Sequence, residues 1–266
     1  MVETLKIIPV DKVIAFESYS DERAAKISDE IERTGKLKNP LLVHPLDDKY
    51  LILDDSSILG AIKTLELTHL PAQIAQPATL SIHAWQLIVE GWEKDDLAAF
   101  CRRFPRQVRA AESSSGMLEA GQAEVRFSNR SIFRLAFLSR SCLVRADMCA
   151  KLSGVLARAK SCYRIKLNYN DGPPFREFPG ASAAVFPPIF SLADLGRIAL
   201  RGRLLPRGLV RIDQPDRVLG IDYAVSILRE SVPVEEKESF LHQLLLWRMA
   251  TDRIAYYNGS VYMFNN

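Results

Sequence analysis

Between Tyr50 and Leu67 the chain reads YLILDDSSILGAIKTLEL, a short apolar strand, a polar turn and then a helix. That layout aims helix-opening backbone N–H groups at an anion. The turn itself, Asp54-Asp55-Ser56-Ser57-Ile58, contains no Gly, His, Lys or Arg. It offers a backbone cradle for a phosphate without a cation to hold one; alternatively, the two aspartates simply cap the helix. A second candidate lies in TLSIHAWQLIV, where strand periodicity puts Ser81, His83 and Trp85 on one face. An imidazole beside an indole suits a ligand site, or equally a half-buried strand histidine next to a core aromatic. His44 before Pro45 and His69 in a turn read as surface residues, and His242 in a Leu-rich helix reads as packing.

The totals narrow the classes. The 266 residues allow one large or two small domains. A formal charge of +3, with 25% charged and 48% hydrophobic residues, is ordinary for a soluble protein. No apolar run approaches the roughly 18 residues of a membrane span. The N-terminus, MVETLKIIPVDKV, has Glu3 and no long apolar region, so the cytoplasm is the expected location. Cys101, Cys142, Cys149 and Cys162 lack metal-finger spacing and are expected to be reduced thiols. Cys142 and Cys149, seven apart on one helix, have the spacing of a core stripe. Arginines are dense between Arg102 and Arg164, but Glu112, Glu119, Glu124 and Asp147 interrupt them. A solvated, anion-attracting surface is expected there, and a nucleic-acid partner is not.

The elements that must carry these residues are well punctuated. LKIIPV reads as a first strand. Ser20 caps a helix that carries Ala24, Ile27 and Ile31 on one face and stops at Gly35. PLLVHP and KYLIL are strands, a helix covers Ser57 to Glu66, and AQIAQ is a strand after Pro71. Helix EKDDLAAFCRRF precedes RAAESSSGMLEAGQ, the most linker-like segment in the chain. The second half reads as strands AEVRF and SIFRLAFL, a helix from Arg140 to Ala159, strand CYRIKLNY, loops at DGPPF and FPP, a helix from Leu192 to Leu200 and strand LVRID. An amphipathic helix, VEEKESFLHQLLLWRMATDR, then leads to a hairpin turning at Asn258-Gly259. The expected class is α/β (α+β), with residues 1–110 as one domain and 111–266 as an α+β second domain.

The order LKIIPVDKV, FESYSDE, NPLLVHPLDDKYLILDD and SSILGAIKTLELTHLPAQI resembles the ParB/sulfiredoxin superfamily. In that superfamily a strand ends in an Asp-Gly-x-His-Arg type of loop opening a helix. Nearly the whole chain is similar to the free L-serine kinases of that superfamily, most of all their siderophore-cluster branch. The resemblance implies Glu17 as general base on the serine hydroxyl and Asp54 as the loop aspartate. It also implies Trp85 flanking the amino acid and Arg211 of PRGLVRID holding the substrate carboxylate, a task that suits a guanidinium fork. The bland alternatives are a turn residue for Glu17, a core aromatic for Trp85 and a structural ion pair for Arg211. The family's Gly, His and Arg correspond to Asp55, Ser57 and Ile58, which removes positive charge and adds negative charge.

A retained amino-acid side beside a ruined phosphate loop also resembles the haem-dependent amino-acid N-hydroxylases near this family, of the type found in D-cycloserine biosynthesis. On that likeness the expectation is a haem monooxygenase acting on an amino acid such as L-arginine, with haem as cofactor and His83 as axial ligand. An external electron donor or peroxide would be its partner. A surviving kinase making O-phospho-L-serine and a haem- or amino-acid-sensing regulator are the competing expectations. The catalytic cleft is expected to be lined by Glu17, Asp54, His83, Trp85 and Arg211.

Overall fold

The computed structural model describes residues 2–113, 121–165, 175–257 and 261–264. Its residues group into two compact units, Met1–Ser81 with Ile212–Asn266, and Ile82–Arg211. The boundary suggested at residue 110 by the linker-like sequence falls inside the second unit. Residues 114–120 of that linker, most of DGPPF and the Asn258-Gly259 turn lie outside the described residues.

The first unit opens with β1 (Leu5–Pro9), β2 (Val13–Ile14), α1 (Asp21–Thr34), β3 (Lys36–Leu37), β4 (Leu41–Leu46), β5 (Lys49–Ile52), α2 (Ser57–Thr64) and β6 (His69–Ile74). Helix α1 forms where its punctuation predicts. The Ser20 hydroxyl accepts from the Arg23 N–H, and Gly35 ends the helix in the left-handed region at φ 65°. A mixed sheet runs in the order β1-β6-β4-β5-β2, with β2–β5 and β4–β6 parallel. Strand β6 begins before Pro71 rather than after it. Its neighbour β4 pairs only from Ala72 onward, so the ladder on that side needs no amide at position 71. Helices α1 and α2 pack closely at Gly60, where a Cβ would come within 3.0 Å of the Ala24 Cβ.

The second unit contains most of β7 (Ser81–Ala84), then β8 (Gln86–Glu90), α3 (Lys94–Arg103), β9 (Val108–Glu112), β10 (Ala123–Phe127) and β11 (Ile132–Phe137). It continues through α4 (Cys142–Leu156), β12 (Ser161–Ile165), β13 (Ala183–Phe186), α5 (Leu192–Leu200) and the first half of β14 (Val210–Asp213). Its main sheet has the order β12-β8-β13-β10-β11-β9 and is antiparallel throughout. Cys142 and Cys149 are buried on α4, and burial pushes the Cys149 thiol up to about 12, which suits a core stripe. Glu124 is a correction to the solvated-surface reading: it is fully buried, with Arg126 at 2.6 Å and Arg134 at 3.6 Å.

The chain returns to the first unit with β15 (Arg217–Leu219), β16 (Tyr223–Ala224), α6 (Val225–Arg229), α7 (Val234–Ala250), β17 (Ile254–Tyr257) and β18 (Val261–Phe264). Helix α7 buries Leu241 and Leu245 between Lys237 and Arg248, and its outer side still exposes Phe240, Leu246, Trp247 and Met249. The simple amphipathic pattern is therefore only half of it. Glu238 accepts from the Ile7 N–H at 3.1 Å and His242 Nε2 donates to the Leu5 carbonyl at 2.9 Å, so α7 satisfies the outer edge of β1. His44 and His69, expected at the surface, are half-buried in β4 and β6. Burial holds both imidazoles below their ordinary pKa, and for His69 the charge of Lys237 adds to the effect.

Candidate functional site

Strand β5 delivers the Asp54–Ile58 turn to the start of α2, as the sequence predicts. The two aspartates then diverge. Asp54 turns back toward the sheet, where one carboxylate oxygen accepts from the Leu42 N–H at 3.1 Å and from Arg217 at 2.5 Å. Arg217 is in turn held by the Gln73 side-chain oxygen at 3.1 Å, which also accepts from the Val218 N–H at 3.0 Å. The buried Gln73 amide donates to the Asp216 carbonyl at 2.8 Å, which completes a network across β4, β6 and β15.

Asp55 faces the other way. Its Oδ1 accepts from the Ser57 N–H at 3.0 Å, and its Oδ2 contacts Arg23 Nε of α1. Partial burial pushes the Asp55 carboxyl up, but the Ser57 N–H and the Arg23 guanidinium outweigh it, and the pKa lies below the usual carboxylate value. Of the two aspartates, Asp55 is thus the one whose carboxylate accepts from the first N–H of α2, one residue before the N-cap Ser56. The sequence reading did not single out Arg23 or Arg217. No local signal points to them, because carboxylates at a helix start can be satisfied by backbone N–H groups alone.

A cleft of about 840 Å³ adjoins this turn within the first unit. Arg23, Ile27, Ile31 and Thr34, on successive turns of α1, form one wall. The segment after β15 forms another, and Asp55 and Ile58 close one end. That segment is fixed by Asn39, whose side-chain oxygen accepts from the Gly220 N–H at 2.8 Å. Arg248 fixes it too, donating to the Gly220 and Ile221 carbonyls at 2.8 and 3.0 Å. Lys36 and Lys38 add positive charge to the lining. Glu30 and Asp222 also line the cleft, so with Asp55 it carries carboxylates as well as cations beside its apolar walls, a lining that suits a ligand with an apolar body and charged groups.

The other expected residues divide between the units. Glu17 is half-buried after β2 in the first unit. His83, Trp85 and Arg211 are in the second. The single strand expected across them breaks at Trp85, whose N–H donates to the Leu209 carbonyl at 3.0 Å. Arg211 lies 5.8 Å from the Trp85 ring centroid, so these two are brought together. His83 is half-buried on β7 and does not line the cleft beside the turn.

No family model matches the chain. The ATP-dependent L-serine kinase SbnI of Staphylococcus aureus is 29% identical over 85 residues, 32% of this chain. That match spans about a third (34%) of the length of the curated relative. The structure of SbnI with a C-terminal truncation superposes with a TM-score of 0.74 at 18% identity, covering 93% of this chain and 98% of that one. A free serine kinase in complex with AMP gives 0.64 at 14% identity, covering 85% of this chain and 93% of the other. A variant of that kinase is solved with ADP at the same TM-score.

These findings overturn the expectation of a haem-dependent monooxygenase. SbnI is named as an ATP-dependent L-serine kinase and the free serine kinase is solved with AMP and ADP, so haem, iron, arginine hydroxylation and an antibiotic pathway lose their support. With haem goes the axial role assigned to His83 and the need for an electron donor. The physical reason for the misreading is local: the turn lost its own cations, and the arginines that face it come from α1 and β15. Among the described residues no helix is long and apolar enough to cross a membrane. The chain has a free L-serine kinase-like fold.

Proposed function

We propose that this chain transfers a phosphoryl group from an adenine nucleotide to the hydroxyl of free L-serine, forming O-phospho-L-serine. The observation that carries this reading is the cleft beside the strand–turn–helix loop, in a fold shared with SbnI over 93% of the chain. Its volume of about 840 Å³ lies in the range of small-molecule sites. Ile27, Ile31 and Leu219 offer an apolar face for a base, and Arg23, Lys36 and Lys38 offer charge for phosphates. Phosphoryl transfer needs mainly positioning and charge stabilisation, so cations supplied from outside the loop can serve it.

In this reading Glu17 takes the proton of the serine hydroxyl as it attacks the terminal phosphorus of the nucleotide, and ADP leaves when ATP is the donor or AMP when ADP is. Asp54 fixes the loop, and the resemblance keeps Trp85 and Arg211, which lie together in the second unit, as the candidates for recognising an amino acid. His83 has no part. A cytoplasmic location, where ATP and free serine are both abundant, fits this chemistry.

The test is ³¹P NMR and mass spectrometry on the full chain incubated with L-serine and ATP or ADP in magnesium buffer. O-Phospho-L-serine should accumulate in proportion to enzyme, and Glu17→Gln should abolish it. Nucleotide hydrolysis without phosphoserine, or no turnover with either nucleotide, overturns the proposal.

A further inference from the structure

A carboxylate and a phosphate compete for the same donors, namely backbone N–H groups at a helix start and a guanidinium. Asp55 has both, through the Ser57 N–H and Arg23. The loop thus already holds an anion at the end of the cleft. Arg23 has the chemistry to accept another. Its side chain is 56% exposed, Asp55 engages it through Nε alone, and a guanidinium has five N–H donors. It lines the cleft with Lys36 and Lys38, where Glu30 and Asp222 are the opposing charges besides Asp55, whereas Arg217, the other arginine at the turn, is committed to Asp54 and Gln73 and does not line it.

We infer that Arg23 is the phosphate-binding cation of this site, and that the Asp55 carboxylate is an internal anion which the nucleotide phosphate displaces from it. The inference rests on the nucleotide reading above. It assigns opposite effects to the two ends of one ion pair. Losing the cation weakens nucleotide binding; neutralising the anion strengthens it, because the phosphate no longer competes with a tethered carboxylate. An ion pair that only holds α1 to the turn would give losses at both ends.

Calorimetric titration of the full chain with ATP, and with adenosine as a phosphate-free control, separates these cases. Arg23→Ala should weaken ATP binding by about tenfold or more, the scale of a lost charge-assisted hydrogen bond. Asp55→Asn keeps an oxygen for the Ser57 N–H while removing the charge, and should tighten ATP binding by about threefold or more. Adenosine binding should be unchanged in both variants, and circular dichroism should show both folded, since Arg23 is exposed. Weaker ATP binding in both variants, or no change in either, overturns the inference and leaves the nucleotide reading standing. If neither the wild-type chain nor Asp55→Asn binds ATP or ADP, the nucleotide reading falls and takes this inference with it.

Discussion

Asp54 and Asp55 are neighbours of identical chemistry, yet the two sides of their turn treat them differently. On the sheet side, Asp54 meets an arginine that is 15% exposed and itself tied to a buried glutamine. On the cleft side, Asp55 meets an arginine that is 56% exposed. The two aspartates are similarly exposed, at 32% and 26%, so the difference lies in their arginines: Arg217 is shielded and locked into β4, β6 and β15, whereas Arg23 is solvated and open to another anion. An aspartate is a brace or a displaceable ligand according to the dielectric around its partner and the number of other bonds that partner makes.

Breaking the sheet-side network should have the largest effect. Gln73→Ala removes the acceptor shared by the Val218 N–H and Arg217 and should cost about 3 kcal/mol, because buried donors lose their partner. Urea titration checks this, and a loss below about 1 kcal/mol would show that the network is not cooperative. Arg217→Ala comes next, at about 2 kcal/mol, a value reduced because Asp54 remains 32% exposed. On the cleft side, Arg23→Ala should change unfolding free energy by less than about 1 kcal/mol. Equal losses for Arg23→Ala and Arg217→Ala would erase the distinction between the two sides.

The smallest effect is on pH dependence. Burial holds His44 and His69 below the ordinary value of 6.5, so the native state keeps both neutral while the unfolded chain takes up protons first. Their contribution is complete above about 6.5 and is lost as pH falls from there toward the depressed native values. Thermal melts between pH 7.5 and 5.5 should show this decline, and His44→Gln should flatten part of it. Asp55 acts in a separate, lower window, because its depressed pKa contributes stability above 3.8 that disappears as pH falls through the native value.

Much of the frame was legible. Ser20 and Gly35 delimited α1, and Leu192 to Leu200 matched α5 residue for residue, because caps and hydrophobic periodicity are local signals. The strand–turn–helix layout at Asp54 was legible for the same reason, as was the likeness to free serine kinases. The site's electrostatics were not. Judged alone, the turn looked stripped of cations and suggested that nucleotide chemistry had been replaced by haem. Arg23 is 32 residues from Asp55, and Arg217 is 163 from Asp54. Glu124 misled in the same way, since its arginine neighbours made it look solvated while the sheet buries it completely.

The sequence by itself determined which segments become helices and strands and that a helix opens after two aspartates, since backbone preferences and capping act over a few residues. Tertiary structure alone decided which charge each aspartate meets. Coulomb interactions depend on distance through space and on shielding from water, and the chain order specifies neither until the sheet and α1 have packed.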